Sequence, residues 1–80
     1  MNQFDINEKL KDVFATSLGI APQLVEDDLK YSDAIEWDSV AHMSLIASIE
    51  EAFDIMIDAE DVIDMSSFGV AKQIVAKYLK

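Results

Sequence analysis

An all-α bundle of three main helices and one short one, with a long first loop, is the fold this sequence predicts. Three observations carry that expectation. Apolar residues recur at helical spacing in three separate stretches, each stretch is preceded by a residue able to cap a helix, and glycine and proline stand where the first stretch ends. In Asp5-Ile6-Asn7-Glu8 the spacing reads as a capping box, and Ile6, Leu10, Val13 and Phe14 form the stripe that follows it. Gly19 is the expected stop, and Pro22 beyond it cannot continue a helix.

From Gly19 to Asp38 no period is sustained, yet Ile20, Leu24, Val25, Leu29, Tyr31, Ile35 and Trp37 lie within it. Such a loop is expected to pack down on the helices, and long loops in small domains are commonly functional. The second helix is expected from Ser39 to Phe53. At about 100° per residue, Leu45, Ile46, Ile49, Ala52 and Phe53 fall on a core face, and Val40, Met43, Ser44, Ala47 and Glu51 fall opposite. An apolar strip on the outer side, rimmed by Glu50, Glu51 and Asp54, predicts a docking surface. Ile55 and Ile57 then read as anchors, and Asp58 as the cap of a short helix holding Val62 and Ile63. Ser66-Ser67 opens the last helix, with Ala71, Ile74, Val75 and Tyr78 inward and Lys72, Lys77 and Lys80 outward.

Composition narrows the function. Eighty residues suit one domain, 1–80, and 51% apolar residues suffice for a packed core. Six lysines, no arginine and sixteen carboxylates give a formal charge of -10, which argues against nucleic acid and for basic protein partners. Thirteen of those carboxylates lie between Glu26 and Asp64, beside a single lysine, Lys30. There is no cysteine, no segment of signal-peptide or membrane-span character, and so a soluble, cytoplasmic protein is expected.

Ser39, in Glu36-Trp37-Asp38-Ser39-Val40, is the residue on which the function turns. Asp38, Ser39 and His42 are the residue types of a nucleophilic triad, but Asp38 beside Ser39 is poorly placed to orient the imidazole, and no glycine-rich turn offers an oxyanion hole. The carboxylates Asp54, Asp58, Glu60, Asp61 and Asp64 lack the alternation and central glycine of an EF-hand, so no metal ligand set is assigned. Two uses remain for Ser39: capping the second helix, which local chemistry alone favours, or carrying a phosphodiester, which a helix N-terminus stabilises.

Asp38-Ser39-Val40, then Leu45 and Ile46, then Ile49-Glu50-Glu51-Ala52-Phe53-Asp54-Ile55, and on through Ile57 to Ser67-Phe68, resembles an acyl carrier protein over nearly the whole chain. The resemblance implies a four-helix carrier fold and a phosphopantetheinyl transferase that moves 4'-phosphopantetheine from coenzyme A to Ser39, with Asp38 marking the motif. It further implies acyl cargo held as thioesters for fatty-acid, polyketide or related biosynthesis. A partner face of Val40, Met43, Ser44, Ala47, Glu50 and Glu51, no catalytic activity of its own and a monomeric state follow from it too. Three positions depart from the fatty-acid carriers: Val40 stands where leucine is usual, Glu36 where glycine is frequent and Ser44 where glutamate is common. These departures imply a carrier dedicated to one pathway. Peptidyl or D-alanyl cargo, and an unmodified acidic adaptor, stay open as alternatives.

Overall fold

The computed structural model describes residues 2–31 and 36–79. Ile35 and Lys80, to which the sequence assigned roles in the loop and on the last helix, lie outside them. Among the described residues there are four α-helices: α1 (Gln3–Leu18), α2 (Ser39–Phe53), α3 (Ala59–Asp64) and α4 (Phe68–Tyr78), with a 3-10 turn at Pro22–Leu24. The expected bundle is therefore present, with α3 as the short member.

Helix α1 starts two residues before the expected capping box. Asn2 is the cap, its Oδ1 accepting the Asp5 amide at 2.9 Å, and Asp5 sits in the first turn where a carboxylate favours the helix dipole. Gly19 ends α1 in the left-handed region at φ 67, as expected of a residue with no Cβ, and the Ile20 amide closes onto the Ala15 carbonyl at 3.1 Å. Asp54 ends α2 the same way at φ 55, with the Ile55 amide on the Glu50 carbonyl. The short polar side chain of Asp makes that conformation cheaper than it is for most residues.

One core joins α1, α2, α4 and the loop. Ile6, Leu10, Phe14, Ala15 and Leu18 of α1 meet Leu45, Ile46, Ile49 and Phe53 of α2 and Phe68, Ala71, Ile74 and Val75 of α4, all buried. At about 2 kcal/mol for each fully buried large side chain, this cluster supplies the main drive to fold. The loop does pack down: Val25 and Trp37 are buried and Ile20 and Leu29 pack against the cluster, whereas Leu24 stays exposed.

The loop is also tied to the start of α4 by backbone bonds. The Tyr31 amide donates to the Ser66 carbonyl, the Phe68 amide to Leu29 and the Gly69 amide to Asp27, at 2.9, 2.9 and 3.1 Å. At Gly69 a Cβ would stand 3.1 Å from the Asp27 carbonyl oxygen, so this close approach is what the glycine permits. The Asp27 carboxylate meets Lys72 one turn further on.

Helix α3 is different, because none of its residues is buried. It is held by the half-buried Val62, which packs against the core, and by polar ties. Asp61 accepts from Lys77 Nζ at 2.8 and 2.9 Å and from the Tyr78 hydroxyl at 2.5 Å, and that hydroxyl accepts the Asp58 amide at 2.9 Å. Asp58 occupies the expected cap position, but its side chain makes no capping bond.

Candidate functional site at the start of helix α2

The first turn of α2 settles which residue caps it. Asp38 has an extended backbone, its Oδ1 accepts the Ala41 amide at 2.8 Å, and its carbonyl accepts the His42 amide at 2.8 Å. Asp38 is therefore the N-cap, and Ser39, for which the sequence allowed that job, is the first helical residue with an exposed side chain. The cap is supplied by the neighbour, and the Ser39 hydroxyl is not needed for it.

Behind this turn the aromatic residues form a rigid support. The Trp37 ring is fully buried, stands edge-on to Phe14 at 5.3 Å and to Tyr31 at 6.0 Å, and stacks on His42 at 5.9 Å and 26°. Its indole N–H donates to His42 Nδ1 at 2.9 Å. An indole nitrogen only donates, so Nδ1 is the acceptor and the imidazole proton resides on Nε2, which donates to the Val62 carbonyl at 2.8 Å. His42 is thus a hydrogen-bonded histidine packed on Trp37, with both ring nitrogens engaged. A base for Ser39 would need one of them free, and the Asp38 carboxylate is turned to its own helix, so these three residues do not assemble into a triad.

Beside Ser39 lies an apolar cavity of about 380 Å³ between α2 and α3. Ser39, His42 and Met43 line it from α2, Val62 and Ile63 from α3, and Tyr31, Met65 and Ser66 from the adjoining segments. A larger groove of about 660 Å³ between α1 and α4, lined mainly by Gln3, Asn7, Asp27, Lys72 and Gln73, shares no residue with it and is of mixed polarity. Of these residues the sequence proposes Ser39 for attachment and Met43 for the partner face, and it gives His42 no site role. Tyr31, Val62, Ile63, Met65 and Ser66 were not assigned to a site, and the available signal was Ile63, an apolar residue 80% exposed within an acidic helix.

Of the expected partner face, Val40 and Met43 are exposed by 75% and 61%, and Ser44, Ala47 and Glu51 are exposed beside them. Glu50 is half-buried and turned aside, its Oε2 accepting the Ile57 amide at 2.9 Å. That carboxylate fixes the segment leading into α3.

Residues 8–71 match the family model described as a phosphopantetheine attachment site. The chain belongs to the acyl carrier protein family. It is 29% identical over 77 residues to an acyl carrier protein of Chlorobium phaeobacteroides, covering 96% of this chain and 99% of that one. Acyl carrier proteins of Renibacterium salmoninarum and Bdellovibrio bacteriovorus are 30% and 32% identical, over 84% and 94% of this chain and 83% and 91% of their own. The protein is an acyl carrier whose prosthetic group is 4'-phosphopantetheine. Members of the family work with phosphopantetheinyl transferases and acyl-handling enzymes.

The start of α2 fits that group. An anionic ester is favoured on an exposed hydroxyl at a helix N-terminus, and Ser39 offers one beside an apolar recess. Among the described residues no helix is long and apolar enough to cross a membrane.

Proposed function

We propose that Ser39 is the attachment point of the 4'-phosphopantetheine arm. The observation that carries this is the division of tasks at the first turn of α2: Asp38 caps the helix, and the adjacent Ser39 hydroxyl stands exposed at the edge of the apolar cavity. The arm supplies a thiol that holds acyl groups as thioesters. The chain's own residues do the rest: Asp38 fixes the turn, the N-terminal amides of α2 favour the phosphate charge, and Val62, Ile63 and Met65 offer an apolar wall.

Partner enzymes dock on the outer side of α2 and bring basic patches to it. Val40 and Met43 form the apolar contact, Ser44 and Ala47 the small flat neighbours, and Glu51 the charged rim, with Glu50 holding the α2–α3 connection in place. Ser44 removes one negative charge from that face, and Glu36 adds one before the serine. Both support a carrier dedicated to one pathway, one that recognises its own partners in preference to general fatty-acid enzymes. The eighty residues are read as one carrier domain, monomeric and cytoplasmic, which catalyses nothing itself. The engagement of both His42 nitrogens supports that last point.

Incubation with coenzyme A and a broad-specificity phosphopantetheinyl transferase, followed by intact mass measurement, tests the attachment. The expected result is one phosphopantetheine adduct on the native chain and none on Ser39→Ala. An adduct that survives Ser39→Ala places the arm elsewhere and overturns the proposal.

A further inference from the structure

The cavity beside Ser39 has a floor, and that floor is held in place from two sides. The His42 ring stands between the cavity and the core, stacked on Trp37 on one side and met edge-on by Tyr31 at 5.4 Å on another. One nitrogen accepts from Trp37 and the other donates to Val62. Trp37 behind it is fully buried and closed off by Phe14.

An apolar chain passing from the cavity toward Trp37 and Phe14 must move this ring, and beside it the cavity is closed on the core by the buried Met65 side chain. Moving the ring breaks both bonds and leaves the buried indole N–H and the Val62 carbonyl without partners. Unsatisfied buried polar groups are costly, and burial of the entering chain must outweigh that cost before penetration occurs. Toward solvent there is no such barrier, since Met43 is 61% exposed and Ile63 80% exposed at the rim.

We propose that the hydrogen-bonded chain Trp37–His42–Val62 is a depth stop for the cargo, which makes His42 a positioning residue that sets cargo length. The acyl group tethered to Ser39 is accommodated in the outer cavity between α2 and α3 and is kept out of the helical core. Short saturated acyl groups are enclosed by Val62, Ile63 and Met65, and longer ones extend along the exposed rim past Met43. The inference rests on attachment at Ser39 and adds to it a statement about which cargo this carrier shelters.

The test uses the full chain loaded with butyryl, octanoyl or dodecanoyl arms, each confirmed by intact mass before measurement, so that failure to load is a result about attachment and not about depth. Trp37 is the only tryptophan, and its indole N–H resonance reports directly on the stop. In the native chain the Val62 and Met65 amide resonances are expected to move on butyryl loading and little further with the longer chains, while the indole resonance stays in place throughout. In His42→Ala the indole resonance is expected to move progressively with chain length. His42→Gln, whose amide offers one acceptor and one donor, is expected to restore the native pattern.

An indole resonance that moves progressively with chain length in the native protein overturns the proposal, and this arm decides the matter even where His42→Ala fails to fold. A loaded His42→Ala chain that behaves as the native one does also overturns it.

Discussion

Helices α3 and α4 are neighbours in the chain and are held by opposite means. Four residues of α4 are buried in the common core, Phe68, Ala71, Ile74 and Val75, and its start is pinned to the loop by backbone bonds. Helix α3 buries none, and is tied through His42 to α2 and through Asp61 to Lys77 and Tyr78 of α4. Apolar burial is non-directional and is lost only when the core itself opens, whereas a few polar bonds at the surface break one at a time. One wall of the cavity beside Ser39 is thus built on a helix held by a few surface bonds, which is expected to open at lower cost than the core beside it.

The largest effect expected from breaking this contrast lies in the core. Phe14→Ala removes the ring against which both Trp37 and Phe68 pack and should cost about 4 kcal/mol. Thermal unfolding followed by far-ultraviolet circular dichroism should show the midpoint lowered by roughly 20 °C. A midpoint within a few degrees of the native one would mean that these aromatics do not organise the fold.

A smaller effect separates cap from tether. Asp38→Ala should cost about 1 kcal/mol, read as a lower denaturation midpoint with unchanged slope, and Ser39→Ala should stay within about 0.5 kcal/mol of the native chain. Equal losses at the two positions would return the capping role to the serine.

The smallest effects are local to α3 and depend on pH. The Lys77 ammonium bonded to Asp61, and after it the Tyr78 hydroxyl, hold the Asp61 carboxyl below its ordinary value of 3.8. A carboxyl depressed by folding contributes stability that is complete above about pH 4 and is lost as pH falls through its folded value. The hydrogen bond to Asp61 raises Lys77 above 10.5 and Tyr78 above 10.0. Their contribution is complete below about pH 10 and is lost as pH rises through the folded values. Amide hydrogen exchange across residues 58–65 should therefore quicken outside that window before α4 responds, and Tyr78→Phe should quicken it about fivefold inside the window. Equal acceleration in α3 and α4 would show that the two helices open as one unit.

Much of this was legible beforehand, and the reasons for the rest are physical. The helices were visible because Leu10 and Phe14, or Ile46 and Ile49, repeat at the helical period, and periodicity survives any detail of packing. The start of α2 was legible only to within a residue. Asp38 and Ser39 are adjacent and both are good caps, and only the backbone angles decide which of them stands outside the helix. At α1 the expected cap, Asp5, lies three residues beyond the actual one, Asn2, since both residue types can cap. Trp37 was seen as an apolar loop residue, but an aperiodic loop gives no face from which full burial could be read. The bonds from His42 to Val62 and from Tyr78 to Asp58 each join residues 20 apart in the chain, and no local pattern specifies such a pair. Glu50 was assigned to an acidic rim by its position on a helical wheel. The turn after Asp54 brings the Ile57 amide within reach of its carboxylate and gives it structural work instead.

That Asp38 and not Ser39 closes the first turn of α2 has a consequence for the protein's life as a shuttle. A phosphodiester formed on a capping hydroxyl would remove that cap when the arm is attached, so attachment of the arm would be coupled to the start of the helix. On the proposed attachment at Ser39, the cap on the preceding residue leaves the helix start independent of the arm. The bare and the loaded chain then share one helix start and one outer face. On that reading, what distinguishes them to another protein is the arm itself and the cargo on its thiol.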